Sequence, residues 1–363
     1  MRKINVLVVD DSAFMRKLIS DFLKEDPQIE VIGTARNGED GLKKVRDLNP
    51  DVITMDVEMP LLNGLDALKQ IMIEHPVPVI MLSSTTKEGA ENTLTAIQNG
   101  AFDFIAKPSG AISLDLHKIK EELVRKVILA SKLSRKQLIN LASNRKIPIN
   151  HEERYSKIEL SESSEISKQN RDPYTKKIIC IGTSTGGPRA LQQVLTKIPP
   201  TIDAAILIVQ HMPAGFTKSL ANRLDSLCEI SVKEAIDGEI VQKGTAYIAP
   251  GGFHLKVRQS GNNLLTFLEK SDARNGHRPA VDILFESVSE IKDYKKVAVI
   301  MTGMGSDGTQ GLIALKNTGK VTAIAESQET SIVFGMPKAA IATRLIDEIQ
   351  DVDKIAESIL KYV

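Results

Sequence analysis

The chain reads as an α/β protein of two doubly wound parallel-sheet domains joined by a polar linker, and three observations lead there. Short apolar runs alternate with helical patterns over 4–109 and again from Lys177 onward, the rhythm of βα units around a parallel sheet. Residues able to do chemistry stand at the ends of those runs. Between the halves, Asn144 to Lys177 is rich in Ser, Asn, Lys and Glu without periodicity, and such a stretch buries too little apolar surface to offset its ordering entropy. The chain therefore divides into 1–130, a linker over 131–176 with a helical start at 132–142, and 177–363.

In the first half, strands are expected at Ile4–Val9, Ile29–Thr34, Asp51–Met55, Val77–Leu82 and Asp103–Ile105. A helix is expected at 113–130, where Leu116, Ile119, Leu123 and Val127 repeat at three- and four-residue spacing. In the second half, Ile178–Ile181, Ala205–Val209 and Val297–Met301 read as buried strands, and Thr245–Leu268 as a hairpin-like section adding antiparallel strands.

Bulk properties narrow the class. With 363 residues and roughly 100–200 per domain, two domains with ordinary cores are expected. Hydrophobic content of 42% and charged content of 26% are those of a globular protein. A net charge of +1 gives no basic field for nucleic acid or an anionic membrane. No apolar run has the length of a membrane span, and Met-Arg-Lys-Ile leads into a strand rather than the core of a signal peptide. Cys180 and Cys228 are too few for a disulfide framework. A cytoplasmic protein is expected, without membrane insertion and without a nucleic-acid partner.

Asp10 and Asp11 end the first strand, Asp56 the third, Ser83 the fourth and Lys107-Pro108 the fifth. Strand ends converge on one edge, so three carboxylates should face one another there. Like charges packed together need a cation, and an oxygen-rich site with open positions suits Mg²⁺. A carboxylate held against Mg²⁺ beside Lys107 is set up to attack a phosphoryl donor. The plainer alternative makes Asp10-Asp11 a helix cap and Asp56 a turn residue.

The second half carries Ser184 in G-T-S-T-G-G-P (182–188), His211 in V-Q-H-M-P (209–213) and Asp307 in M-T-G-M-G-S-D-G (301–308). G-T-S-T-G fits the G-x-S-x-G elbow, with a strand before it and a helix after. Pro188 suits the start of that helix. Serine needs a base, for which His211 is the candidate, and Asp307 would fix the histidine tautomer. Backbone N–H groups near Thr185 and Met304 are the candidate oxyanion hole. The order Ser…His…Asp departs from the Ser…Asp…His of α/β-hydrolases, which leaves a different fold with a similar elbow, or a different triad.

Each piece has a plain alternative: Ser184 as a cap, His211 as a structural histidine, Asp307 as the cap of the following helix. Gly303 to Gly308 also matches G-x-G-x-x-G, with Glu326 about twenty residues on. Against dinucleotide binding, Asp307 would repel a pyrophosphate and only a short tail follows Glu326. A non-enzymatic output, DNA-binding or docking, lacks a basic stripe or a helix-turn-helix pattern.

Residues 3–125 resemble the response-regulator receiver family through V-V-D-D-S (8–12), M-D-V-E-M-P (55–60), M-L-S-S (81–84) and F-I-A-K-P (104–108). The resemblance implies a flavodoxin-like fold and phosphorylation of Asp56 by a histidine kinase. It implies Mg²⁺ held by Asp11, Asp56 and the Glu58 carbonyl, with Asp10 in the outer shell. It makes Ser83, Phe104 and Lys107 switch residues and Lys107-Pro108 a cis bond.

The stretches I-G-T-S-T-G-G-P, V-Q-H-M-P, Y-I-A-P-G-G-F-H, R-P-A-V-D-I-L-F, M-T-G-M-G-S-D-G and V-F-G-M-P-K-A-A resemble, in order, the chemotaxis protein-glutamate methylesterase family. That resemblance implies Ser184 as nucleophile, His211 as base, Asp307 as its orienter and the Met304 N–H as an oxyanion donor. It implies glutamate methyl esters on chemoreceptor helices as substrate, glutamine deamidation as second activity, and no cofactor for the esterase reaction. His254 and His277 lie in family-like motifs as substrate-edge or structural residues.

Overall fold

The computed structural model describes residues 2–107, 113–134, 137–138 and 176–363. The cis bond expected at Pro108 and most of the expected linker lie outside the described residues, as does its expected helical start apart from 132–134 and 137–138.

The first sheet contains β1 (Ile4–Val9), β2 (Ile29–Ala35), β3 (Val52–Asp56), β4 (Val79–Ser83) and β5 (Asp103–Ala106). All pairs are parallel, in the order β2-β1-β3-β4-β5. Every residue of β3 and β4 is buried, because helices cover both faces of such a sheet. β4 starts after Pro78, which has no N–H to give a ladder. The helices are α1 (Ala13–Lys24), α2 (Gly38–Leu48), α3 (Gly64–Glu74), α4 (Lys87–Gln98) and α5 (Ser113–Ala130). Ser12, Asn37, Asn63 and Thr86 each cap the helix that follows, accepting from the N–H of Met15, Asp40, Asp66 and Gly89. Each such cap stabilises its helix by about 1 kcal/mol.

The second domain runs β6 (Lys176–Thr183), α6 (Gly187–Leu195), β7 (Ala205–Gln210), α7 (Phe216–Asp225), β8 (Ser231–Glu234), β9 (Thr245–Ile248), β10 (His254–Ser260), β11 (Asn263–Glu269), α8 (Val281–Ser289) and β12 (Tyr294–Ile300). It continues through α9 (Thr309–Asn317), β13 (Val321–Glu326), α10 (Met336–Ala342), β14 (Glu348–Gln350) and α11 (Val352–Leu360). Seven strands form one parallel sheet in the order β14-β13-β12-β6-β7-β9-β8. The hairpin-like section does add an antiparallel pair, but over less of its length than expected. Its first run, β9, is a parallel strand of the main sheet, and only β10 and β11 form the antiparallel pair. Strand order reverses at β6, so a crevice opens at the carboxyl ends of β12, β6 and β7.

The domains touch through α4 and β5 on the first and α6 and α7 on the second, and Leu123 and Val127 of α5 share an apolar cluster with Val333. The Phe104 and Phe216 rings stack with centroids 4.7 Å apart, an arrangement that contributes roughly 0.5–1.5 kcal/mol beyond area burial. One apolar cluster continues across the boundary, including Leu94, Ile97, Phe104, Leu191, Phe216 and Leu220. Arg189 Nη2 donates to the carbonyls of Ile97 and Ala101, placing a cation at the negative end of α4.

Candidate active site

β6 ends at Thr183, and Ser184 N donates to the Thr302 carbonyl just past β12 (3.0 Å). The turn passes through Gly186, at φ 82°, into α6, with Pro188 in its first turn. A side chain at 186 would be strained by that φ and would crowd Ile332. Gly303 has a different reason: a Cβ there would lie 2.8 Å from the Ser184 Cβ. Its absence lets the 302–305 loop close against the serine.

β7 is in register with β6, Thr183 opposite Gln210, and His211 N donates to Thr183 O (3.1 Å). Gln210 locks the two strand ends. It accepts from Thr183 Oγ1 (2.7 Å) and donates to the carbonyls of Ser184 (3.0 Å) and His211 (3.1 Å). Reasoning from motifs passed over Gln210; its signal was a polar residue closing the run A-I-L-I-V-Q.

His211 Nε2 lies 2.7 Å from Asp307 Oδ2. Asp307 also accepts from the N–H groups of Val281 (2.6 Å), Asp282 (3.0 Å) and Gly308 (3.0 Å). Burial pushes this carboxyl up, but the hydrogen bond and charge of His211 and the amides of Asp282 and Val281 outweigh it, giving about 2. An ionised Asp307 makes Nε2 the protonated nitrogen and leaves Nδ1 as the basic one. Nδ1 is buried and has no partner among the described residues. Asp307 does cap a helix, as the plain alternative held, but mainly α8 rather than the helix that follows it. In return Asp282 accepts from Gly311 N (2.8 Å) in α9.

Among the described residues no hydrogen bond joins the Ser184 hydroxyl to His211; such bonds commonly tighten only with substrate bound. The Thr185 and Met304 amides, the two expected oxyanion donors, give no backbone hydrogen bond to another described residue. His277 stacks on His211, centroids 3.8 Å apart and planes 10° off parallel. Burial and the neighbouring His211 hold its pKa down to about 4, so it is neutral at pH 7. His254 is structural: it accepts from Ala280 N (3.2 Å) at Nδ1 and donates to the Asp272 carbonyl (3.0 Å) at Nε2. Glu326 is buried against Thr302 N (2.7 Å) and Thr330 Oγ1 (3.0 Å), so it does not face a nucleotide-binding loop.

The first domain reaches this edge. Asp103 Oδ2 accepts from Thr185 Oγ1 (2.8 Å), and Lys126 pairs with Asp103 (3.0 Å) and donates to the Phe104 carbonyl (2.6 Å).

At the other end of that domain, carboxylate oxygens of Asp10, Asp11 and Asp56 lie within 4.8 Å of one another. Lys107 Nζ bridges Asp56 (2.6 Å) and Asp10 (3.2 Å). Burial outweighs Lys107 and raises Asp56 to about 6; it raises Asp10 as well. Asp10 Oδ2 is buried, with the Lys107 ammonium beside it. These residues fit Mg²⁺, which favours carboxylate oxygens and open positions. Asp11 and Glu58 line one cleft beside Asn63. Neither aspartate is the helix cap, a role Ser12 fills. The Ser83 hydroxyl donates to the Gly89 carbonyl (2.9 Å).

Fold and site together define a response-regulator protein with a hydrolase-like α/β output domain. Residues 6–117 match the response regulator receiver domain and residues 179–359 match the CheB methylesterase family. The chain is 56% identical over 359 residues to a Halalkalibacterium halodurans protein called protein-glutamate methylesterase/protein-glutamine glutaminase, covering 99% of this chain and 98% of that one. A Bacillus subtilis protein of the same name is 54% identical over 362 residues, with 99% and 98% covered. The solved catalytic domain of Thermotoga maritima CheB methylesterase superposes with a TM-score of 0.51 at 49% identity, covering 52% of this chain and all of that one. The chain belongs to the CheB methylesterase family, enzymes that join a receiver domain to a methylesterase/glutaminase domain. Among the described residues no helix is long and apolar enough to cross a membrane.

Proposed function

We propose that this enzyme demethylates glutamate methyl esters, and deamidates glutamines, on the cytoplasmic helices of chemotaxis receptors, and that phosphorylation of its receiver activates it. The observation that carries the chemistry is the His211–Asp307 contact of 2.7 Å at the strand end beside Ser184. Ser184 Oγ attacks the γ-carbonyl, His211 Nδ1 takes its proton, and Asp307 holds the imidazolium through Nε2–H. The Thr185 and Met304 amides receive the oxyanion. His211 gives the proton to the departing methoxy oxygen, releasing methanol, or to the amide nitrogen of glutamine, releasing ammonia, and water then hydrolyses the acyl-enzyme to glutamate and restores Ser184. No cofactor takes part in these steps.

In the receiver (1–130, with a tether over 131–176 and the catalytic domain at 177–363), Asp56 accepts phosphate from a chemotaxis histidine kinase. Asp10, Asp11, Asp56 and the Glu58 carbonyl are the groups that would hold Mg²⁺, which when bound neutralises the transferring oxygens. Lys107 supplies a fixed positive charge beside Asp56. Ser83 leaves Gly89 to meet the phosphoryl group, and Phe104 carries the change to Phe216. Contacts from Asp103 to Thr185 and from Phe104 to Phe216 favour a covered catalytic edge. Phosphorylation activates to the extent that the phosphorylated receiver favours the uncovered form. An enzyme acting on those receptor helices would work in the cytoplasm.

A fluorophosphonate probe for activated serines tests the catalytic assignment. It should label the wild-type chain at Ser184 and leave Ser184→Ala unlabelled. Equal labelling of both chains would remove Ser184 from the mechanism.

A further inference from the structure

The acid that completes the dinucleotide-like pattern has a different occupation. Glu326 ends β13, 1% exposed, and spends both oxygens on neighbours. Oε2 accepts from Thr302 N (2.7 Å) and Oε1 from Thr330 Oγ1 (3.0 Å). Thr302 is the residue on which the catalytic loops meet. Its carbonyl accepts from Ser184 N (3.0 Å), and its hydroxyl donates to Thr185 O (2.9 Å) and accepts from Val333 N (3.0 Å). Gly303 N then donates to Val333 O (3.0 Å), and Met304 follows. The nucleophile's own amide is therefore one hydrogen bond from Thr302, the Thr185 amide one residue further, and the Met304 amide two residues along the chain.

We infer that Glu326 is a positioning residue for the esterase reaction: by accepting from Thr302 N it fixes the loop that sets Ser184 against the Thr185 and Met304 amides. The inference rests on the triad proposed above. Thr302 lies between β12 and α9, outside any ladder, so without Glu326 its buried N–H loses its acceptor. A donor left unpaired in the interior costs roughly 1–3 kcal/mol, and the loop can escape that cost by shifting. Shifts of about 1 Å at a reacting centre lower rates by up to about a hundredfold. The role calls for a lone pair rather than a charge. Burial, opposed by the Thr302 amide and the Thr330 hydroxyl, raises this carboxyl to about 7, and the protonated and ionised forms can both accept from Thr302.

The test compares Glu326→Gln with Glu326→Met in the full-length chain. Methanol release from methylated receptor membranes is measured beside Ser184→Ala, with active sites counted by the serine probe. Glu326→Gln keeps an acceptor and should stay within about threefold of wild type in kcat per active site. Glu326→Met keeps the length, loses the acceptor, and should lower kcat about ten- to a hundredfold with KM within about twofold. If Glu326→Met does not fold, Thr330→Val, which frees one Glu326 oxygen, should lower kcat a few-fold. Unchanged kcat per site in Glu326→Met, or in Thr330→Val where that stands in, overturns the inference, as does an equal loss in Glu326→Gln. Methanol release that persists in Ser184→Ala would instead overturn the triad beneath it.

Discussion

The helices of the two domains begin in opposite ways. In the receiver, α1 to α4 are each capped by the side chain of their own preceding residue, Ser12, Asn37, Asn63 and Thr86. In the catalytic domain none of α6 to α11 has such a cap, and α6, α7 and α9 start on Gly186, Gly215 and Gly308. Receiver loops satisfy themselves locally, so what remains at that edge is a cluster of three carboxylates that Lys107 offsets only in part and that suits a cation. Catalytic loops use glycine for close approach, and distant residues supply what the turns lack. Asp307 serves α8 while it orients His211, and Asp282 serves α9. Fold stability and catalytic geometry therefore share residues in the second domain and are separable in the first.

The largest test of that contrast is Ser184→Ala, which should lower turnover by about 10⁶-fold while the receiver still accepts phosphate. Asp307→Asn should lower kcat by roughly 10⁴-fold through the wrong histidine tautomer and also lower the melting temperature, because an NH₂ facing His211 no longer accepts from Val281 N in α8. Full thermal stability with lost activity would uncouple the two roles. Phe104→Ala should act the other way. Losing a few kcal/mol of interface packing, at about 1.4 kcal/mol per tenfold, should raise basal methanol release about tenfold or more and shrink the stimulation by phosphodonor. Unchanged basal release would show that the ring stack does not hold the cover.

Asn63→Ala should cost only about 1 kcal/mol in urea unfolding of the receiver and leave catalytic turnover alone; a comparable loss of kcat would blur the contrast. The smallest expected effect is a pH dependence. His277 is neutral when folded, at about 4, whereas the unfolded chain takes up its proton below about 6.5. Its contribution is therefore present above about 6.5 and is lost as pH falls toward 4. Urea midpoints at pH 5 and 7 should differ less in His277→Gln than in wild type.

Much of this was legible in the sequence because local signals carried it. The runs 4–9 and 51–56 mark strands whose acidic ends must converge, and glycine-rich ends at Ser184 and Asp307 mark turns at a crevice. What stayed hidden depends on contacts between distant residues. Thr185 meets Asp103 across 82 positions, and Phe216 gives no sign in its own segment that it faces Phe104. Glu326 carried a misleading signal, since spacing tied it to a nucleotide loop while burial ties it to Thr302. Thr245–Ile248 read as part of the hairpin-like section Thr245–Leu268, which Pro250-Gly251 interrupts. Turn residues say that the chain turns, not which strand it pairs with, and the run pairs with β7 and β8 in the main sheet.

The most direct measurement is methanol release from methylated receptor membranes with and without a small-molecule phosphodonor, for wild type, Ser184→Ala and Asp56→Ala. Wild-type release should rise with phosphodonor, Ser184→Ala should release nothing in either condition, and Asp56→Ala should keep basal release without stimulation. Stimulation that survives in Asp56→Ala, or release that survives in Ser184→Ala, would contradict the account.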